Sequence, residues 1–342
     1  MRVAFDARVL EDPRLAAGGI GRYASCLLAA LEAAHGSELV ALRSLRRPPA
    51  PDRLREGWEH LLLARDVRRE GATVVHSPSV DLASLRPGAP LVVTLHDLVP
   101  LKQPERYLRT GLKHRLRYRA VRHAARVIVP SRAVARDAER LLGIAPALIE
   151  TIGEAAAPAF RPVPDPRSLL TPLELPERFL VWVGGLDPPD PRKGVEALAA
   201  AVRAGSGLPL VLAGRAGPAA RVLAAPGRVT LAGRLTDLEL AALLTAADAL
   251  VFPSADEGYG LPPIEALACG TPVAAYAAGS LTETLGGRQD AVLVEPGDMD
   301  GLLAAGESLA GICAEPVRRS WADVAVDTWA AYERAAAGSD GR

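Results

Sequence analysis

The chain has 342 residues, of which 49% are hydrophobic and 23% are charged, and its formal net charge at pH 7 is zero. This length is too great for one typical hydrophobic core and suits two domains, and the composition is that of an ordinary globular protein. The sequence contains no apolar run of membrane-spanning length, so we expect no transmembrane segment.

The N-terminus and the cysteines indicate the compartment. Residues 1–6 start directly as a strand and do not resemble a signal peptide. The three cysteines, Cys26, Cys269 and Cys313, are odd in number and widely spaced, which predicts neither a disulfide framework nor a zinc site. We therefore expect a protein of the reducing cytoplasm.

Charge is unevenly distributed along the chain. Residues 1–158 contain 25 basic and 17 acidic residues, a net charge of +8, whereas residues 159–342 contain 15 and 23, a net charge of −8. This asymmetry indicates that the first half meets something anionic. Arginine supplies nearly all of the basic residues, because only Lys102, Lys113 and Lys193 are lysines.

Short apolar runs alternate with helical patterns throughout the chain. Eleven such runs read as strands: Val3–Ala7, Thr73–His76, Leu91–Leu95, Arg126–Val129, Leu148–Ile152, Phe179–Val183, Leu208–Ala213, Val229–Ala232, Ala249–Phe252, Val273–Tyr276 and Ala291–Val294. This alternation is typical of parallel sheets flanked by helices. We predict an α/β protein with two Rossmann-like domains.

The domain boundary is predicted at Ala155–Pro176, a stretch rich in proline and alanine without a clear period. We predict an N-terminal domain over 1–158, a linker over 159–177, a second domain over 178–317, and a C-terminal helix and tail over 318–342. Trp321, Trp329 and Tyr332 are spaced so that they can share one face of that helix.

Polar groups follow several of the predicted strands. In open α/β sheets, ligands bind beyond the carboxyl ends of the strands. The residues at such positions are His96, Arg215 and Glu257, together with Gly184 and Gly185, which offer backbone groups. We expect the two sheets to face each other across one cleft in which these groups converge.

Residues 253–273 form the most informative segment. The glycines at 258 and 260 allow a tight turn, and the following prolines suit the first turn of a helix. A strand, a glycine turn and a helix start present unpaired amides to an anion. This pattern places Glu257 in the loop and Glu265 in the first helical turn. The alternatives are a solvated loop acid for Glu257 and a carboxylate that complements the helix dipole for Glu265.

This segment resembles the donor-sugar site of the retaining glycosyltransferases of family four, which have the two-domain GT-B fold. The resemblance extends over nearly the whole chain. The segment Gly18–Tyr23, with Gly18 and Gly19, resembles the family's glycine-rich loop, which faces the donor diphosphate; a plain flexible turn is the alternative. The segment Val93–Asp97 resembles the one whose histidine, here His96, reaches the transferred sugar; a structural histidine is the alternative.

In the second domain the resemblance implies a donor-nucleotide site. Val183–Leu186 and Pro191–Gly194 resemble the donor-phosphate region, where Lys193 supplies a compact positive charge. The base would contact backbone groups near Leu235, the sugar would contact Glu257, and the ribose hydroxyls would donate to Glu265. The residues whose amides would line the sugar and phosphates are Gly258, Tyr259, Gly260 and Leu261.

The chain departs from the family at one position of the phosphate region. Many relatives have an arginine where this chain has Gly185, and that arginine pairs with the lysine on the diphosphate. Arg192 and Arg215 are both candidates to replace it.

The resemblance implies retaining transfer of a sugar from a nucleotide-sugar donor to a glycan, a lipid-linked acceptor or a small molecule. It implies neither a bound metal nor another cofactor, and we expect no nucleic-acid partner. Two alternatives stay open: a nucleotide-sugar epimerase, and a non-catalytic binding protein that has lost activity through Gly185.

The stretch Lys102–Arg126 contains nine basic residues and one acid, Glu105. Leu108, Leu112 and Leu116 recur at every fourth position, which predicts an amphipathic helix. Peripheral contact with an anionic membrane at its inner face is one interpretation. An arginine-rich solvated face is the other.

Overall fold

A computed structural model describes residues 1–16, 18–43, 62–107, 111–171 and 173–338. The chain divides into two compact units. Unit 1 comprises Met1–Glu154 and Arg319–Arg342, and unit 2 comprises Ala155–Arg318. The chain therefore leaves unit 1 once and returns to it with its C-terminal helix.

The described part of unit 1 contains a six-stranded parallel sheet in the order β2-β1-β3-β4-β5-β6. Its strands are β1 Val3–Asp6, β2 Leu39–Leu42, β3 Val74–Ser77, β4 Leu91–Thr94, β5 Arg126–Val129 and β6 Ile149–Thr151. The chain moves outward from β1 to β2, and then in the opposite direction from β3 to β6. The topological switch point therefore lies between β1 and β3.

Helices cover this sheet. They are α1 Pro13–Ala16, α2 Gly19–His35, α3 over residues 62–69, α4 Val99–Lys102, α5 Pro104–Tyr107, α6 Gly111–Arg122, α7 Arg132–Leu142 and α13 Trp321–Ala337, with 3-10 turns at Ala7–Leu10, Val80–Leu82 and Pro146–Leu148. Helix α13 begins with a capping box between Ser320 and Asp323 and packs on α2 and on β3, β4 and β5. Its aromatic residues are buried, so the predicted apolar face is confirmed.

The described part of unit 2 has the same plan, with strand order β12-β11-β10-β7-β8-β9 and all pairs parallel. Its strands are β7 Leu180–Val183, β8 Leu210–Ala213, β9 Val229–Gly233, β10 Ala249–Phe252, β11 Val273–Tyr276 and β12 Ala291–Val294. Its helices are α8 Val195–Ala204, α9 Asp237–Ala246, α10 Leu261–Ala268, α11 Leu281–Leu285 and α12 Met299–Ser308, with 3-10 turns at Pro166–Leu170, Pro191–Lys193 and Pro218–Leu223. The switch point here lies between β7 and β10.

The predicted fold class is confirmed, and each of the eleven predicted strands overlaps a strand of the structure. The prediction missed β2. This edge strand follows α2 closely, and three of its four residues are only partly buried. Its apolar run is therefore short and weakly patterned, which leaves little signal in the sequence.

Candidate functional site

The switch point of unit 2 brings two sequence-predicted site residues into contact. Lys193 ends the 3-10 turn that follows β7, and Glu257 lies in the loop that follows β10, the strand beside β7. The Lys193 Nζ atom donates to Glu257 Oε1, and the side chains are 21% and 10% exposed. Lys193 Nζ also lies 5.5 Å from the centroid of the Phe252 ring. Glu257 is thus a buried, ion-paired acid and not a solvated loop residue.

Arg192 holds the two loops of this site together. Its Nη1 atom donates to the Asp256 carbonyl at 2.9 Å, and its own carbonyl accepts from Ala255 N at 2.9 Å. Gly194 adopts φ +65°, and a Cβ at this position would lie 2.6 Å from the Pro253 carbonyl oxygen. The close approach of the loops therefore requires glycine at 194 and fixes Lys193 against the Glu257 loop.

A further loop, after β11, supports Glu257 from its backbone. Ser280 N donates to the Glu257 carbonyl at 3.2 Å. Gly279 has φ +57°, and a Cβ there would lie 2.8 Å from both the N and the O atoms of Glu257. Sequence reasoning missed these two residues. The available signal was the position of this small-residue loop at the carboxyl end of a predicted strand.

Glu265 lies in α10, a helix whose N-terminal capping residue is Gly260, with φ +90°. It is the fifth residue of α10 and 1% exposed. The prediction that Glu265 lies in the first helical turn is therefore wrong, because the helix begins at Leu261. Since the helix dipole acts mainly within the first turn, this position removes the basis of the dipole interpretation.

Arg215 and Gly185 lie beside each other at the ends of β8 and β7. Leu186 N donates to the Arg215 carbonyl at 3.1 Å, which continues the pairing of these strands. Arg215 is 69% exposed, and its Nη2 atom lies 3.3 Å from Asp187 Oδ2. A Cβ built on Gly185 meets no atom of the described chain within 4 Å. The position of the missing family arginine is therefore open space next to Arg215.

The remaining donor-side residues lie in the same unit. Gly184 lies close to Gly214, the residue that follows the neighbouring strand β8. A Cβ on Gly214 would lie 1.7 Å from the Gly184 carbonyl oxygen. Leu235 lies between β9 and α9, where Thr236 and Glu239 form a capping box. Gly258, Tyr259 and Leu261 follow Glu257 along the loop into α10.

Unit 1 contains the other predicted residues, at the carboxyl ends of its strands. Gly18 precedes α2 as its N-terminal capping residue, and Gly19 is the first residue of that helix. His96 follows β4, and its ring contacts the ring of Tyr23 from α2 edge-on, with centroids 4.6 Å apart. The glycine-rich segment and the His96 segment are therefore neighbours in unit 1.

Within the described residues, no group of three or more His, Cys, Asp or Glu side chains is placed to hold a metal ion. In the same part of the chain, no helix combines the length and apolarity that a membrane crossing needs.

Solved structures resemble this chain over nearly its full length. Sucrose-phosphate synthase from Thermosynechococcus elongatus matches with a TM-score of 0.72 at 24% identity, over 99% of this chain and 97% of the other. HepE from Anabaena, solved in complex with UDP-glucose, matches with a TM-score of 0.67 at 20% identity, over 98% and 95%. Two Rossmann-like units with these neighbours define the GT-B fold of glycosyltransferases.

Family models match both halves of the chain. The model described as Glycosyltransferase Family 4 matches residues 17–155, and the one described as Glycosyl transferases group 1 matches residues 177–311. The 2-deoxystreptamine N-acetyl-D-glucosaminyltransferase of Streptomyces fradiae is 34% identical over 67% of this chain. The chain belongs to the group 1 glycosyltransferases of family four, as its sequence motifs predict. It spans 58% and 52% of the lengths of the first two curated relatives.

Proposed function

We propose that this chain transfers a sugar from a nucleotide-sugar donor to an acceptor hydroxyl, with retention of anomeric configuration. The observation that carries the proposal is the contact between Lys193 and Glu257 at the switch point of unit 2, with the buried Glu265 in the adjoining helix. Family membership supports the reaction class, and the UDP-glucose complex of HepE supports the donor class.

Lys193 is the proposed electrostatic catalyst. Breaking the bond between the anomeric carbon and the diphosphate oxygen leaves positive charge on the sugar ring and negative charge on the diphosphate. A preorganised ammonium group stabilises the departing charge most when that charge is fully developed. Because Lys193 Nζ donates to Glu257 in this structure, a bound diphosphate would draw the ammonium from the carboxylate or share it.

Glu257 and Glu265 are proposed to orient the donor. The Glu257 carboxylate would accept hydrogen bonds from sugar hydroxyls, and Glu265 would accept them from the ribose. The acceptor attacks from the face that the diphosphate leaves, and its proton passes to the leaving phosphate oxygen. In this route Glu257 is not a covalent nucleophile, and no metal or other cofactor takes part.

Mass spectrometry of the full chain with a panel of nucleotide sugars identifies the donor that binds. The chain is then incubated with that nucleotide sugar and candidate acceptors. A glycosylated acceptor supports the proposal. Conversion of the sugar nucleotide without an acceptor would identify an epimerase instead. Binding without turnover on any acceptor would identify a non-catalytic binding protein.

Gly185→Arg is expected to raise the affinity for nucleoside diphosphate several-fold. The Arg192 guanidinium is engaged with the Asp256 carbonyl, and the space above Gly185 is open, so an added cation has room to reach phosphate. Calorimetry checks this, with Gly185→Ala as the uncharged control. An unchanged or lower affinity in Gly185→Arg, with Arg215→Ala weakening binding, would assign the phosphate contact to Arg215 and contradict the expectation.

Peripheral contact with an anionic membrane, from the cytoplasmic side, is proposed for the basic stretch around α6. Leu108 of the predicted stripe lies outside the described residues, and Leu116 is 46% exposed. Among the described residues of the stretch, three basic side chains are engaged elsewhere, since Lys102 pairs with Asp137 and Arg117 with Asp81, each at 2.5 Å, and Arg126 with Glu150 at 3.3 Å. These pairs reduce the charge available at the surface.

The exposed Arg119 and Arg122 of α6 provide the test. Each basic residue near an anionic bilayer contributes about 1 kcal/mol at modest salt, so Arg119→Glu/Arg122→Glu should reduce co-sedimentation with phosphatidylserine vesicles by at least about tenfold. The control is Arg65→Glu/Arg69→Glu, which reverses two exposed arginines elsewhere in unit 1. Equal sedimentation of both variants, or no binding by the original chain at low salt, would rule out this surface.

A further inference from the structure

Unit 1 contains a buried histidine, His76, and a partly buried one, His96, and their partners differ in chemistry. His76, in β3, has Nδ1 at 2.6 Å from the Tyr332 hydroxyl and Nε2 at 2.8 Å from the Thr94 hydroxyl. A hydroxyl can donate or accept, so a neutral ring satisfies both contacts. Burial, and secondarily the nearby His96, lower the pKa of His76 to about 3. His76 is therefore neutral at physiological pH.

His96 is less enclosed than His76, with a side chain that is 17% exposed, and both of its partners are acceptors. Its Nδ1 atom lies 3.2 Å from Glu154 Oε1, and its Nε2 atom lies 3.0 Å from the Pro78 carbonyl oxygen. Neither a carboxylate nor a carbonyl can donate, so both hydrogen bonds form only when both ring nitrogens carry a proton. The geometry thus requires an imidazolium ion.

The surrounding groups favour the same protonation state. Burial by itself lowers the pKa of His96, but the hydrogen bond and charge of Glu154, the Pro78 carbonyl and the charge of Asp97 together raise it above the ordinary value. The neutral groups packed nearby are the Tyr23 ring from α2 and His76 from β3. Glu154 supplies the largest of the raising effects.

Glu154 occupies a fixed position in the fold. It is the last residue of unit 1 before the chain enters unit 2, and it is buried. Its neighbour Gly153 accepts a hydrogen bond at 2.7 Å from Arg319 Nε, at the point where the chain returns to unit 1. The backbone beside Glu154 is therefore anchored by Arg319, and the two hydrogen bonds of the His96 ring define its orientation.

We propose that Glu154 is a positioning residue for sugar transfer, which holds His96 as a fixed imidazolium ion at the carboxyl edge of the unit 1 sheet. This inference rests on the proposed transferase function. With both nitrogens protonated, His96 cannot take the proton of the acceptor hydroxyl and acts through its positive charge. The proton must go elsewhere, which agrees with its transfer to the leaving phosphate oxygen.

The ionisation is tested by NMR of the full chain with labelled histidine rings. Six histidines are present, and His96→Gln identifies the His96 signals. We expect two protonated ring nitrogens for His96 at pH 7. Glu154→Gln, which preserves size but removes the charge, should lower the His96 titration midpoint. Glu150→Gln, on the same segment but paired with Arg334, should leave this midpoint unchanged.

The positioning role is tested by the pH profile of kcat/KM with the donor that the screen identifies. Because activity requires the imidazolium form, it should fall as pH rises through the His96 pKa. In Glu154→Gln this alkaline limb should move to lower pH by the amount that NMR gives, with unchanged nucleoside diphosphate affinity.

Three results would overturn the inference. The first two are a neutral His96 ring at pH 7 and an unchanged midpoint in Glu154→Gln; NMR detects either without any transfer assay. The third is an alkaline limb that stays in place although the midpoint moves. A chain that binds donor but transfers no sugar would instead refute the proposed function, and the NMR result would still decide the ionisation of His96.

Discussion

Lys193→Ala is expected to lower kcat for sugar transfer by about 10²–10³-fold while weakening donor binding much less. Charge on the departing diphosphate is greatest in the transition state, so a cation aimed at it affects the chemical step more than the ground state. Steady-state kinetics together with calorimetry on the nucleoside diphosphate separate the two effects. Lys102→Ala, which removes a lysine paired with Asp137 in unit 1, is the matched control.

The ion pair with Glu257 requires a second comparison, because removing Lys193 also leaves a buried carboxylate without that cation. A double-mutant cycle with Glu257→Gln resolves this ambiguity. If Lys193 acts on the diphosphate, Lys193→Ala should still lower kcat when Glu257 is already glutamine. If it serves only to hold Glu257, the double variant should be no slower than Glu257→Gln, and the proposed role of Lys193 is wrong.

Glu265→Ala is expected to weaken nucleoside diphosphate binding by about 1.5–3 kcal/mol, or about 10–150-fold, because the ribose hydroxyls lose a charged acceptor. Calorimetry gives the affinity. Glu283→Ala, which removes an exposed glutamate from the neighbouring helix α11, is the control and should bind as the original chain does. Glu265→Gln keeps the volume of the buried side chain if Glu265→Ala fails to fold. Unchanged affinity in a folded Glu265→Ala variant would remove this residue from the donor site.

The strands of both sheets could be predicted because a buried parallel strand is a short, nearly continuous apolar run. The order of the strands was not predicted: the two sheets differ in order, and the order in unit 2 places Lys193 near Glu257. The edge strand Leu39–Leu42 was missed, because partial burial leaves a weak pattern. The packing of α13 on unit 1 also could not be predicted, since the apolar face of a helix does not specify which surface the helix covers.

Local contacts of the site were less accessible to sequence reasoning. The motif indicated that Glu257 and Lys193 share a function, but the ion pair depends on the close approach at Gly194. Glu154 lies at the start of a stretch of alanine and proline that reads as a linker, so nothing in the pattern marks it. Its role follows only from the structure, in which it accepts a hydrogen bond from His96, 58 positions earlier in the chain.

The switch point of unit 2 is the proposed binding site of the nucleotide-sugar donor, and a crystal structure of the chain with the nucleoside diphosphate selected by the screen decides whether the donor binds there. We expect Glu265 carboxylate oxygens at about 3 Å from the ribose hydroxyls, and Lys193 Nζ at about 3 Å from a phosphate oxygen. A nucleotide bound away from β7 and β10, or a diphosphate that leaves Lys193 without a phosphate contact, would refute this assignment.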